Sequence, residues 1–277
     1  MRNGKTAEEI NKELISVQET WYKQLLKTDS RFEDYSHFSS PFCFGVSEKE
    51  WNDNVIMYIG EEARGWWFDD EKHHESEIEY LQGYAISYFE RQLHENYKCN
   101  NQFCTDYSSS FETPNPSKFW EYTKTVKKET MYSICWNNLD KLHRIKTIKE
   151  NGVKKRLTVA LTRKQEEVLH DIHPANNCSL LLNEINIVQP KIVIFTKYIH
   201  STAKALGINE DQLWKIKNFY AHSGKCVANI SDLCKSVFAR ENTIALLLLN
   251  HPNCRKKNFL QEAIKQTVEA IAEATKN

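Results

Sequence analysis

Apolar positions recur along the chain in two rhythms, and each predicts a different element. Ile10, Leu14, Val17, Trp21 and Leu25 are spaced by three and four residues, which places them on one face of a helix. A loop rich in Ser, Phe and Pro covers residues 29–47. Val55-Ile56-Met57-Tyr58-Ile59 is apolar without alternation, the pattern of a strand covered on both faces. Ser76 and Glu79 read as a capping box. From it a second helix continues through Ile78, Leu81, Ala85, Phe89 and Leu93. A Cys-, Asn-, Ser- and Pro-containing loop over residues 96–116 precedes a helix that runs from Ser117 towards Lys127. Met131-Tyr132-Ser133-Ile134-Cys135-Trp136 is the second strand. After a basic connector, residues 180–188 read as a helix ended by Pro190. Residues 191–196 and 244–249 are two further apolar strands. A last helix carries Phe259, Leu260, Ala263, Ile264, Val268 and Ile271.

Buried-type strands separated by helices predict an α/β fold with a parallel sheet covered on both sides. The expected architecture is a three-layer α/β/α sandwich around a central, mainly parallel four-stranded sheet. No internal repeat or linker divides the chain. The expectation is a single domain over residues 1–277, with an N-terminal helical extension over about residues 1–50. Ligands of such folds bind at the carboxyl ends of the strands.

Charge changes the picture only locally. Lys+Arg and Asp+Glu are equal, 37 against 37, so any affinity for a polyanion has to come from a patch. Residues 141–164 hold nine Lys or Arg and the single acid Glu150, a basic stretch suited to phosphates. Residues 69–79 hold six acids and read as a solvated loop. The eight cysteines include no Cys-x-x-Cys pair, and Cys99 and Cys104 are the closest two. Residues 1–13 are polar and charged, and no run approaches membrane-spanning length. The expectation is a cytoplasmic protein with reduced thiols, no metal and no membrane contact.

The segments just past the strand ends carry the chemistry. The first strand leads into Gly60-Glu61-Glu62-Ala63-Arg64-Gly65-Trp66-Trp67, the second into Asn137-Asn138-Leu139, and the last into Asn250-His251-Pro252-Asn253-Cys254-Arg255-Lys256-Lys257. Carboxylates, amides and an imidazole are thus expected at one rim. Gly60-Glu61-Glu62-Ala63-Arg64 resembles the Gly-Gln-Asp-Pro-Tyr motif that comes after the first strand of uracil-DNA glycosylases. Trp136-Asn137-Asn138-Leu139 is similar to their strand-ending Asn segment, and Leu248-Leu249-Asn250-His251-Pro252 resembles their His-Pro-Ser motif. The resemblance to the uracil-DNA glycosylase superfamily spans roughly residues 54–258, with the motifs in the same order.

The resemblance implies a monofunctional DNA glycosylase that leaves an abasic site, with DNA as its partner and no cofactor. Glu62 falls at the family's catalytic acid, with Glu61 in reserve. Such a carboxylate stabilises the sugar cation and orients a water. His251 falls at the residue that supports the departing base anion. Asn137 sits at the base-reading position, and Asn138 is close enough to serve instead. Asn253, Arg255, Lys256 and Lys257 fall in the segment that contacts DNA, and Trp66 is a candidate for stacking on the base. The apolar wedge that the family often has there is replaced by Asn253 and Cys254. Arg64 stands where the family's Tyr shuts out substituents at pyrimidine C5, which implies a larger or polar C5 group. The chain resembles the branch that removes glucosylated hydroxymethylcytosine from phage DNA. Uracil repair, hydrolysis of free nucleosides and a non-catalytic DNA-binding module remain the alternative readings.

Overall fold

The computed structural model describes residues 5–33, 37–62, 78–94, 117–150, 152–196, 199–254 and 258–275. In chain order the described elements are α1 (Ala7–Thr28), a 3-10 turn (Ser30–Glu33), β1 (Val55–Glu62), α2 (Ile78–Leu93), α3 (Lys118–Thr130), β2 (Ser133–Asp140), β3 (Arg144–Glu150), β4 (Val153–Val159), α4 (Arg163–His170), α5 (Leu180–Val188), β5 (Ile192–Thr196), α6 (Ile199–Leu206), α7 (Glu210–His222), β6 (Val227–Asn229), α8 (Ser231–Cys234), β7 (Ile244–Leu248) and α9 (Phe259–Ala274).

The apolar runs become a five-stranded sheet in the order β2-β1-β5-β7-β6. The first four strands are parallel, and β6 is antiparallel to β7. The four expected strands are therefore joined by a fifth. Its three residues are too few to leave an apolar run in the sequence. β1 and β2 also outrun their apolar cores. Gly60, Glu61 and Glu62 stay in β1, and Asn137, Asn138 and Leu139 stay in β2, with Gly60 registered against Asn138 and Glu62 against Asp140. Pairing with a neighbouring strand here overrides the weak strand preference of Gly, Asn and Glu.

Strand alternation sends side chains to two cores. Val55, Met57 and Ile59 join Leu14 of α1, Leu181 and Ile185 of α5, and Ala203 of α6 on one face. Ile56 and Tyr58 join Tyr122 and Val126 of α3 and Phe259 and Ala263 of α9 on the other. A third cluster holds Trp21, Leu25, Phe32, Leu142 and Leu169 beneath the second half of α1. α1 is thus part of a helical layer and packs on α5 and α2. Its start is fixed by a capping box: the Glu9 amide donates to Thr6 Oγ1 at 3.2 Å, and the Thr6 amide donates to Glu9 Oε2 at 2.7 Å. Ser117 caps α3 by accepting from the Trp120 amide at 3.4 Å. Ser76, the expected cap of α2, lies outside the described residues.

The basic connector is not a loop. β3 and β4 form a separate antiparallel ribbon turned at Gly152, whose φ of 81° suits glycine. The ribbon starts three residues after β2. Its base is held by the chain just before β1: the Ile145 amide donates to the His37 carbonyl at 2.7 Å, and the Ser39 amide to the His143 carbonyl at 2.9 Å. Among the described residues no helix is long and apolar enough to cross a membrane. Burial raises the thiol pKa values of Cys43 and Cys135 beyond the ordinary range, and pushes that of Cys234 up to about 12, which leaves all three unreactive.

Candidate active site

The chain leaves β1 for β2 on one side and returns to β5 on the other, so the sheet changes winding direction at β1. Open α/β sheets bind ligands outside the carboxyl ends of the strands at such a point. Glu61 and Glu62 are the last two positions of β1. Arg64, Trp66, Arg255, Lys256 and Lys257 lie outside the described residues.

Asn137 and Asn138 part company. Asn137 is 0 % exposed and turns towards α1 and α5. Its Nδ2 donates to Glu184 Oε2 at 2.8 Å, and its Oδ1 accepts from both the Asn138 amide at 2.8 Å and Lys141 Nζ. Lys141 Nζ in turn lies 2.6 Å from Glu184 Oε2, with the two side chains 4 % and 0 % exposed. Gln18 Nε2 reaches Glu184 Oε1 at 2.8 Å. Burial lowers the Lys141 pKa, and Glu184 opposes that shift. The reading of Asn137 as a base-binding residue is therefore corrected. Both ends of its amide are consumed by a buried ion pair, on the face of the sheet away from His251. Nothing in the sequence joins Gln18, Asn137, Lys141 and Glu184, because they meet only through packing.

Asn138 lies on the other face, 1 % exposed, and its Nδ2 has no hydrogen-bond partner among the described residues. A buried donor left unmade costs about 1–3 kcal/mol, so it calls for an explanation. The side chain fits because Gly60 opposite has none. A Cβ built on Gly60 would fall inside the van der Waals shell of Asn138 Oδ1 and 3.2 Å from Trp136 Nε1. Trp136 begins an aromatic wall. Its ring centroid lies 5.3 Å from that of Trp120, which lies 5.0 Å from Phe119. Tyr88 and Phe42 pack on Trp136 at 5.7 and 4.8 Å. The wall was missed at the sequence level, although Phe119-Trp120 just inside a capped helix was a visible signal.

The wall ends at His251. Its half-buried ring stacks on Phe119 with centroids 6.2 Å apart and planes 17° apart. The Asn253 amide donates to His251 Nδ1 at 3.1 Å, and Asn253 Oδ1 accepts from the Phe119 amide at 3.2 Å. An Nδ1 that accepts from an amide is unprotonated, which places a ring proton on Nε2. Asn253, expected on DNA, is exposed and also ties the His251 turn to the first turn of α3. With neighbouring strands about 4.8 Å apart, β7 stands about 10 Å from β1. β5 fills the sheet between the two.

The arrangement offers an amide donor on a glycine floor, an aromatic wall, an imidazole donor at the far end, and two carboxylate positions at the rim. Among the described residues no three His, Cys, Asp or Glu side chains gather as a metal site would need. No protein-family model matches the chain, and no curated protein matches it either.

Proposed function

We propose that the protein is a monofunctional DNA glycosylase that hydrolyses the N-glycosidic bond of a flipped pyrimidine. The observation that carries this reading is the buried Asn138 amide, which has no partner among the described residues and stands over Gly60 at the sheet's carboxyl rim. A side-chain amide offers a donor and an acceptor side by side, the complement of a pyrimidine's Watson–Crick edge.

The groups around that amide set the chemistry. DNA is held by its phosphates and one nucleotide turns out of the stack, with the aromatic wall beside the base. Asn138 reads the edge of the base. As the glycosidic bond lengthens, positive charge grows on the sugar, and a carboxylate at Glu62 stabilises it and directs a water to C1′. Negative charge grows on the base, and His251 Nε2–H donates to its O2. The bond electrons leave with the base, the water adds to the sugar and gives up a proton, and an abasic site remains. Arg64 and Gly65, in place of the bulky Tyr of the resembled family, favour a base that carries a large polar group at C5. Glucosylated hydroxymethylcytosine of phage DNA fits that description. On this reading the chain is a member of the uracil-DNA glycosylase superfamily, with the four parallel strands as the centre of a three-layer α/β/α sandwich.

The test is abasic-site formation on duplexes that carry uracil, hydroxymethylcytosine or its glucosylated form. Glu62→Gln is expected to reduce base release by about 10²–10⁴-fold with DNA binding intact. His251→Ala is expected to lose about 10²–10³-fold. Activity on uracil alone would remove the modified-base reading. No base release from any of the three, or full function in Glu62→Gln, would remove the glycosylase reading.

A further inference from the structure

The basic stretch belongs neither to the sheet nor to the site. It forms the β3–β4 ribbon, two seven-residue strands that pack chiefly on one another. Among the described residues its anchors lie at the root. Ile145 is buried, and Arg144 Nε donates to the Ala160 carbonyl at 3.0 Å. Beyond the root, Lys146, Thr147 and Lys149 are exposed. Lys146 and Lys149 have no ion-pair partner among the described residues.

We propose that this ribbon is a second DNA contact that grips the phosphate backbone beside the excision site. It rests on the glycosylase reading for the identity of the polyanion, and its binding test does not depend on catalysis. Three features select duplex DNA. The ribbon leaves the carboxyl end of β2 after only three residues, the same rim that carries Asn138. An antiparallel two-stranded ribbon has the width of a major groove. Alternation puts Lys146 and Lys149 on opposite faces of β3. Cations on both faces suit a groove walled by two phosphate strands, whereas a flat anionic membrane would engage one face. At the root, Arg144 and Lys146 line one groove with Gln165.

The experiment is fluorescence anisotropy of the full chain with an unmodified duplex over a range of salt. Each lost phosphate contact lowers the slope of log K against log salt by about 0.9, so Lys146→Ala/Lys149→Ala is expected to lower it by about 2. Lys146→Arg/Lys149→Arg is expected to keep the slope. Both positions are exposed, and an unchanged circular dichroism spectrum checks that the fold is kept. An unchanged slope in the alanine variant would overturn the proposal, as would a wild-type chain that binds phosphatidylserine vesicles and not DNA. Base release, measured in parallel at saturating protein, separates the two ideas. Release with an unchanged slope fails the ribbon alone, and a lowered slope without release fails the glycosylase alone.

Discussion

Two adjacent asparagines with identical side chains meet opposite fates, because successive strand positions face opposite sides of a sheet. Asn137 closes a buried circuit with Lys141 and Glu184, whereas Asn138 keeps an unmade donor beside Gly60. Their alanine variants should therefore separate stability from function. Asn137→Ala removes a hydrogen bond to each member of the Lys141–Glu184 pair, and should cost about 3 kcal/mol in urea unfolding. Asn138→Ala discards a donor that gains nothing from the fold, and should change stability by no more than about 1 kcal/mol while base release collapses. Equal loss of stability in both variants would mean that Asn138 is structural. The sequence could name the pair but could not choose within it. The choice depends on strand parity, and parity shifts with one residue of register. The same limit applies to Gln18 and Glu184, 166 positions apart, which no local pattern connects.

Elements were legible in proportion to how completely they are buried. β1, β5 and β7 appear as apolar runs because both of their faces are covered, and α5 announces itself by Leu180, Leu181, Leu182 and Ile185. α7 was missed because Leu213 is its only buried residue, and β3–β4 because Lys and Arg mask a ribbon whose one firmly buried side chain in β3 is Ile145. α1 was legible as a helix, but its place was not. It belongs to the layer over the sheet, so its core contacts should outweigh its cap. Leu14, 0 % exposed, lies among α5 and sheet residues, and Leu14→Ala should cost about 2–5 kcal/mol. Thr6→Ala, which opens the capping box, should cost about 1 kcal/mol. Chemical denaturation of the two variants checks the ranking. A Leu14→Ala variant no weaker than Thr6→Ala would make α1 an appendage after all.

At the scale of the whole molecule, neutrality conceals a division of labour. The net charge of zero hides a local excess: residues 144–156 carry six Lys or Arg and one acid, while apolar helix faces enclose the sheet. The same enclosure makes the fold sensitive to alkali. Cys43, Cys135 and Cys234 are all raised by burial above the ordinary thiol value of 9.0. In the unfolded chain these thiols lose their protons from about pH 9 upward, whereas the folded chain keeps them. The folded state then binds more protons, so this stability is complete below about pH 9 and declines as pH rises. Each thiol contributes about 1.4 kcal/mol for a full unit, so three together should remove about 4 kcal/mol by about pH 10. Lys141 acts in the opposite sense. Burial lowers its pKa below 10.5, so the unfolded chain binds the extra proton and stability rises with pH; one such group offsets only part of the loss from three. Tyr58 and Tyr122, also raised by burial, add to the loss only above about pH 10, where unfolded tyrosines ionise. The urea midpoint should hold near about pH 8 and fall steeply by about pH 10, and Cys135→Ala should flatten that fall by about a third. A midpoint that stays level across this range would mean that the thiols ionise inside the fold, and that the core around β2 admits water.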